Sequence, residues 1–168
     1  TEPALVTVAS KTEKSADKDV MVRGVGNLLT HNARCCKPLP GDLIIGYVTV
    51  GRGVSIHRQD CSKALQLQHS EPERIIEVSW GSSPQATYPV DIEIKAYDRS
   101  GLLRDITTML ANAKIDVLAV NTQSDKSTNT ATMKLTLEIT GLEELDNLLA
   151  RIQRLHNVLA VERVREGG

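Results

Sequence analysis

Between Ala131 and Ile139 the apolar residues Ala131, Met133, Leu135, Leu137 and Ile139 alternate unbroken with Thr132, Lys134, Thr136 and Glu138. Successive side chains leave a strand on opposite sides, so this period predicts a strand with one buried and one wet face. Such a strand needs neighbours and an apolar layer over its buried face. The flanking sequence supplies both. Val90-Asp91-Ile92-Glu93-Ile94-Lys95-Ala96 alternates in the same way. Leu102, Ile106, Met109 and Ala113, with Leu103 and Leu110 beside them, recur at helical spacing. Val117 to Val120 forms a short β-rich run, and a polar turn is expected at Ser124–Asn129. Thr140 with Glu143 forms a capping-box signature, and the helix behind it is expected to bury Leu142, Leu145, Leu149, Ile152 and Leu155. Val158 to Val161 closes the series.

The resulting order, β-α-β-β-α-β over residues 88–166, predicts a ferredoxin-like α+β domain with both helices on one face of a four-stranded antiparallel sheet. The open face is expected to carry Asp91, Glu93, Lys95, Thr132, Lys134 and Thr136. That fold serves many functions and settles none. An RNA-recognition motif would stack bases on sheet aromatics. Only 2% of this chain is aromatic, it has no Phe, and those strand positions hold Thr and Lys. That module is excluded.

Residues 1–19, rich in Lys, Glu, Asp, Ser and Thr, read as a flexible linker or tail, and a chain opening on Thr1 reads as part of a longer one. Residues 20–70 read as a small module, and 71–87, with Pro72, Gly81 and Pro84, as a connector. The module holds all three cysteines. Cys35 and Cys36 precede an expected hairpin, Ile44–Val50 with Val54–Ile56, turning at Gly51-Arg52-Gly53. His57 and Cys61 follow it and would share one face if helical. Three thiolates and an imidazole suit a tetrahedral zinc site, with Asp60 as an alternative ligand or as the group that holds the His57 ring. The same spacing admits three free thiols packed as small hydrophobes. A module this small usually needs a staple, which favours zinc. A cysteine nucleophile would need an oxyanion hole and a substrate pocket, and no segment supplies them.

The whole chain carries a formal charge of −1, yet from Arg23 to Lys63 the bases Arg23, Arg34, Lys37, Arg52, Arg58 and Lys63 face only Asp42 and Asp60. Such a patch either meets RNA phosphates or is a solvated face balancing thiolates. An odd cysteine count gives no secreted disulfide framework and points to a reducing cytoplasm, and no apolar run reaches membrane-spanning length. Asp98-Arg99-Ser100-Gly101-Leu102-Leu103 resembles the turn signature of ACT domains. Asp98, Ser100, Gly101 and Leu102 there either hold an amino-acid carboxylate at a helix start or simply turn the chain.

Residues 35–40, 41–49 and 51–61, together with that turn, resemble the zinc-finger (RIS) and ACT modules ending long RelA/SpoT homologues, the RelA-type synthetases above all. The resemblance spans about residues 20–166. It implies an upstream half that transfers pyrophosphate from ATP to GTP or GDP, making the stringent-response alarmone (p)ppGpp. It also implies that these modules touch ribosomal RNA when uncharged tRNA occupies the ribosome, and restrain the synthetase otherwise. By position, Cys35, Cys36, His57 and Cys61 match the family's zinc-finger residues, with Asp60 in the same motif. Arg34, Lys37, Arg52, Arg58 and Lys63 become the expected RNA contacts. No Gly-rich phosphate loop or His-Asp metal pair is present, so this chain is expected to be a non-catalytic regulatory region. The alternative is an amino-acid-sensing ACT module that forms a homodimer through sheet edges.

Overall fold

The computed structural model describes residues 20–22, 29–81 and 86–164 and divides into two compact units, the second being Thr87–Val164. The linker expected over residues 1–19, and Arg23, lie outside the described residues.

The first unit contains β1 (Val20–Val22), β2 (Thr30–Asn32), β3 (Ile44–Val48), β4 (Val54–Arg58), helix α1 (Ser62–Ser70), a 3-10 turn at Pro72–Arg74, β5 (Ile75–Ile76) and β6 (Val78–Trp80). Its main sheet runs β2-β4-β3-β5, with β2 parallel to β4 and the other pairs antiparallel, while β1 pairs with β6. The hairpin turns where Thr49 N–H and Oγ1 both donate to the Gly53 carbonyl. Gly53 has φ +75°, and a Cβ there would lie 2.2 Å from the Leu29 carbonyl oxygen, so the turn and the docking of β2 together require glycine.

Alternation gives this sheet two different faces. Ile44, Val54 and Ile56 lie on one, packed with Val78 and backed by Val48, Ile76 and Trp80. Ile45, Tyr47, Ser55 and His57 occupy the alternate positions of β3 and β4. The connector expected at 71–87 instead carries β5 and β6, because Ile76, Val78 and Trp80 complete a core that the hairpin alone leaves half-covered. Pro72 opens the 3-10 turn and Gly81 follows β6, and the boundary between the two units falls between Ala86 and Thr87, inside the expected connector.

The second unit has β7 (Tyr88–Tyr97), α2 (Leu102–Asn112), β8 (Val117–Asp125), β9 (Thr130–Ile139), α3 (Leu142–Gln153) and β10 (Val158–Arg163). Strand order is β10-β7-β9-β8, antiparallel throughout, which is the ferredoxin-like arrangement. Ile92 faces Leu135 and Ile94 faces Met133 across the central pair, and all four are buried. On the open face Thr136 Oγ1 donates to Asp91 at 2.6 Å, and Lys134 lies 4.0 Å from Glu93. Three local expectations shift. Strand β8 continues to Asp125, because pairing with β9 holds its polar second half extended. The helix start is capped by Glu144 rather than Glu143: Gly141 is the cap residue, so the side chain three positions on reaches back to the Thr140 N–H at 2.8 Å. Leu148 is buried with Leu145 and Ile152, whereas Leu149 is only half-buried.

Candidate metal centre and the cleft beside it

Cys35, Cys36, His57 and Cys61 converge, each offering one donor atom, with all four atoms within 4.8 Å of one another. Three elements place them. The turn after β2 closes with Lys37 N–H donating to the Ala33 carbonyl and presents both neighbouring cysteines. Strand β4 presents His57, and Cys61 sits at the cap position of α1. His57 and Cys61 therefore meet by a strand-to-helix bend and not on one helical face: Cys61 N–H donates to the Arg58 carbonyl at 3.1 Å, which folds the chain back.

The distances fit a metal. Cys35 Sγ lies 3.4 Å from His57 Nδ1, 3.6 Å from Cys61 Sγ and 4.0 Å from Cys36 Sγ. His57 Nδ1 lies 3.9 Å from Cys36 Sγ and 3.8 Å from Cys61 Sγ. Zinc–sulfur and zinc–nitrogen bonds of about 2.3 and 2.0 Å in a tetrahedron give edges of about 3.8 Å (S to S) and about 3.5 Å (S to N). The cluster can hold a metal, and among the described residues it is the one such group of His, Cys and carboxylate side chains.

The surroundings suit a negatively charged metal–thiolate centre. The Arg58 backbone N–H donates to Cys36 Sγ at 3.3 Å, and Cys61 stands at the positive end of α1. With Nδ1 on a metal, His57 Nε2–H donates to Ser55 Oγ at 3.0 Å, which fixes the ring and its tautomer. Burial pushes the Cys36 thiol far up; burial and then Cys61 push Cys35 up. Burial, followed by the charges of Lys63 and His31, lowers His57 to about 4. Left alone, these groups are therefore neutral at pH 7, and a cation must displace the thiol protons on entering.

Asp60 takes neither role expected of it. Its carboxylate accepts Arg58 Nε at 3.0 Å and Nη2 at 2.7 Å, and Ser55, two residues before His57 on the same strand face, holds the ring instead. Spacing could have revealed Ser55, since positions two apart on a strand share a face.

The expected RNA contacts divide. Arg34, Arg52 and Lys63 are exposed and line a cleft of about 620 Å³ on the metal side of the sheet. Lys37 is half-buried in the cysteine turn. Arg58 is 7% exposed and bound to Asp60. It lies opposite Ile44, one position out of phase with His57, so parity sends it to the other face of the sheet. Arg58 is thus corrected from an RNA contact to an internal ion pair. His31 and Tyr47 also line the cleft, and basic-residue counting could not find them.

In the second unit Gly101 caps α2 at φ +83°, with no side chain capping the helix. Asp105 already occupies the first turn, held by Arg99 at 2.8 Å. A ligand carboxylate at Asp98–Leu102 would meet that charge.

Comparison with known proteins agrees with both units. The RelA/SpoT RIS domain matches residues 20–81, and the ACT domain matches residues 84–163. The tandem is thus a RIS module followed by an ACT module. Relatives are the GTP pyrophosphokinases of Haemophilus influenzae (46% identical over 95% of this chain and 21% of that one) and Escherichia coli K12 (46% over 92% and 21%). The bifunctional (p)ppGpp synthase/hydrolase RelA of Mycobacterium tuberculosis is 40% identical over 94% of this chain and 21% of that one. The chain carries the RIS and ACT domains of RelA/SpoT proteins, and it spans about a fifth of the length of these curated relatives. Among solved structures, the ACT domain of a Chlorobium tepidum GTP pyrophosphokinase is similar over 47% of this chain and 100% of that one, at 18% identity and TM-score 0.42. No described helix is long and apolar enough to cross a membrane.

Proposed function

We propose that this chain is a non-catalytic regulatory region of a cytoplasmic GTP pyrophosphokinase. Its RIS unit, stapled by zinc on Cys35, Cys36, His57 and Cys61, contacts ribosomal RNA or uncharged tRNA and so controls the upstream synthetase. The observation that carries this reading is the cleft beside the metal cluster. Arg34, Arg52 and Lys63 line it, and among the described residues that line it none is a carboxylate, in a chain whose formal charge is −1. Basic charge concentrated on the lining of one cleft favours a polyanion. Zinc would hold the cysteine turn and the start of α1 in place, and with them Arg34 and Lys63.

Binding of the chain to a structured ribosomal RNA fragment, followed by fluorescence anisotropy across a salt series, tests the reading. Three phosphate contacts predict that log K falls against log salt with a slope of about −2 to −3, and Arg52→Ala should flatten it by about one. Arg58→Ala should leave the slope unchanged. Binding that ignores both salt and Arg52 would remove the RNA reading. The amino-acid-sensing alternative rests on the uncapped α2 start at Gly101, but Asp105 and Arg99 already fill that corner.

A further inference from the structure

The cleft is more than a basic rim. Strand β4 runs between β2 and β3, and Ser55 pairs with His31 on one side and with Tyr47 on the other. Directly paired residues project to the same face, so one row of the sheet reads ring, serine, ring. Neighbouring strands lie about 4.8 Å apart, which sets the two flanking backbones about 9.6 Å apart with only a small side chain between them. That spacing leaves a slot for one further flat ring. We propose that this slot takes a single unpaired nucleotide of an RNA, its base set between His31 and Tyr47 and its flanking phosphates on Arg34, Arg52 and Lys63. This rests on the RNA reading above and specifies its ligand.

Four observations support it. The volume of about 620 Å³ falls in the range of about 300–1,000 Å³ typical of sites for single small ligands, which is room for one base. A duplex keeps its bases stacked and could lay only phosphates on the rim. The chain has three Tyr, one Trp and no Phe, yet one of those few aromatics, Tyr47, lines this cationic cleft. The Tyr47 hydroxyl donates to Glu71 at 3.0 Å, which anchors the ring, while partial desolvation against the cleft wall and then the Arg52 charge hold His31 below its usual pKa. Asn32, also in the cleft, offers both a donor and an acceptor for a base edge. Unstacked bases are recognised by this combination of flat side chains, amide groups and cations.

The test uses the full zinc-loaded chain and two fluorescent RNAs: a six-nucleotide single strand and the same sequence closed in a hairpin duplex. His31 is exposed, so His31→Ala should fold, and circular dichroism checks this. The single strand should bind more tightly than the duplex. His31→Ala should weaken the single strand about fivefold or more, as loss of one stacking partner does, while leaving its salt slope and the duplex unchanged. Tyr47→Phe should keep most single-strand affinity and Tyr47→Leu should lose it. The bound single strand should also slow alkylation of Cys35, the half-buried ligand on the cleft wall, and the duplex should not. Equal binding of both RNAs, or His31→Ala weakening both or neither, overturns the slot and leaves the phosphate reading standing. Failure of both RNAs to bind overturns the two together. Competition by a nucleoside 3′,5′-bisphosphate at the single strand's own potency overturns the RNA assignment in favour of a soluble nucleotide.

Discussion

Stripping the metal from the RIS unit should unfold that unit and leave the ACT unit standing. Five of the six donor pairs lie 3.4 to 4.0 Å apart and all four atoms lie within 4.8 Å of one another, against about 3.5 to 3.8 Å in a zinc tetrahedron, so ligation needs shifts of no more than about an ångström. Little of the binding energy is then lost to rearrangement. Structural zinc contributes about 10–16 kcal/mol at pH 7, whereas a whole domain is stable by about 5–15 kcal/mol. The loss is therefore comparable to the whole stability of such a unit. Its apolar core of Ile44, Val54, Ile56 and Val78 is too small to stand in for the metal. The chain carries its own probe. Trp80 is the single Trp, belongs to the first unit, is half-buried, and donates its indole N–H to the Asp42 carbonyl at 3.0 Å. A strong chelator should red-shift Trp80 emission and abolish its thermal transition, while far-UV circular dichroism keeps a cooperative melt from the second unit. Cys36→Ser should reproduce the effect. Protein with no metal by mass spectrometry but unchanged Trp80 emission and melting would refute the argument, leaving three ordinary thiols beside a packed hairpin.

Two further outcomes test the register and the ion pair. Leu135→Ala should cost about 2–5 kcal/mol in urea melts, because Leu135 is 1% exposed between Ile92 and Val120, whereas exposed Lys134→Ala should stay within about 0.5 kcal/mol; equal losses would put the wrong face of β9 inward. Asp60→Asn should lower stability by about 1–3 kcal/mol by weakening the hold on the buried Arg58 guanidinium, yet keep one zinc per chain; a fall in zinc content would make Asp60 a ligand.

The ferredoxin-like unit was legible because its central strands β7 and β9 are long and buried on one face, so each alternate residue reports its face. Leu135 and Leu137 fall inward and Lys134 and Thr136 outward, as their periodicity predicts. The first unit was less readable. Its strands are two to five residues long where described in full, too short for periodicity to show, and β5 and β6 hid among turn signals. The four residues of the cluster stood out by residue type, but not the way they meet. Helical spacing was the wrong geometry for His57 and Cys61, since the helix begins only at Ser62. Arg58 misled because charge is visible in a sequence and strand parity is not, until the register of β3 against β4 is known. The His31–Ser55–Tyr47 row depends on pairing between three strands and leaves no local trace.

The mixed sheet of the first unit also dictates the order in which it can assemble. Strands β3 and β4 are joined by a short hairpin turn and can zip locally on a timescale of about 1–10 μs. Strand β2 precedes both, yet lies parallel against β4, so it has nothing to dock on until that hairpin exists. His57 and Cys61 come into register with the hairpin and its following bend, whereas Cys35 and Cys36 arrive only with β2. An incoming ion would thus be caught first by the later half of the motif and enclosed by the earlier half. Closing that loop fixes the turn carrying Arg34, and the cleft that Arg34 lines would be the last part of the unit to form.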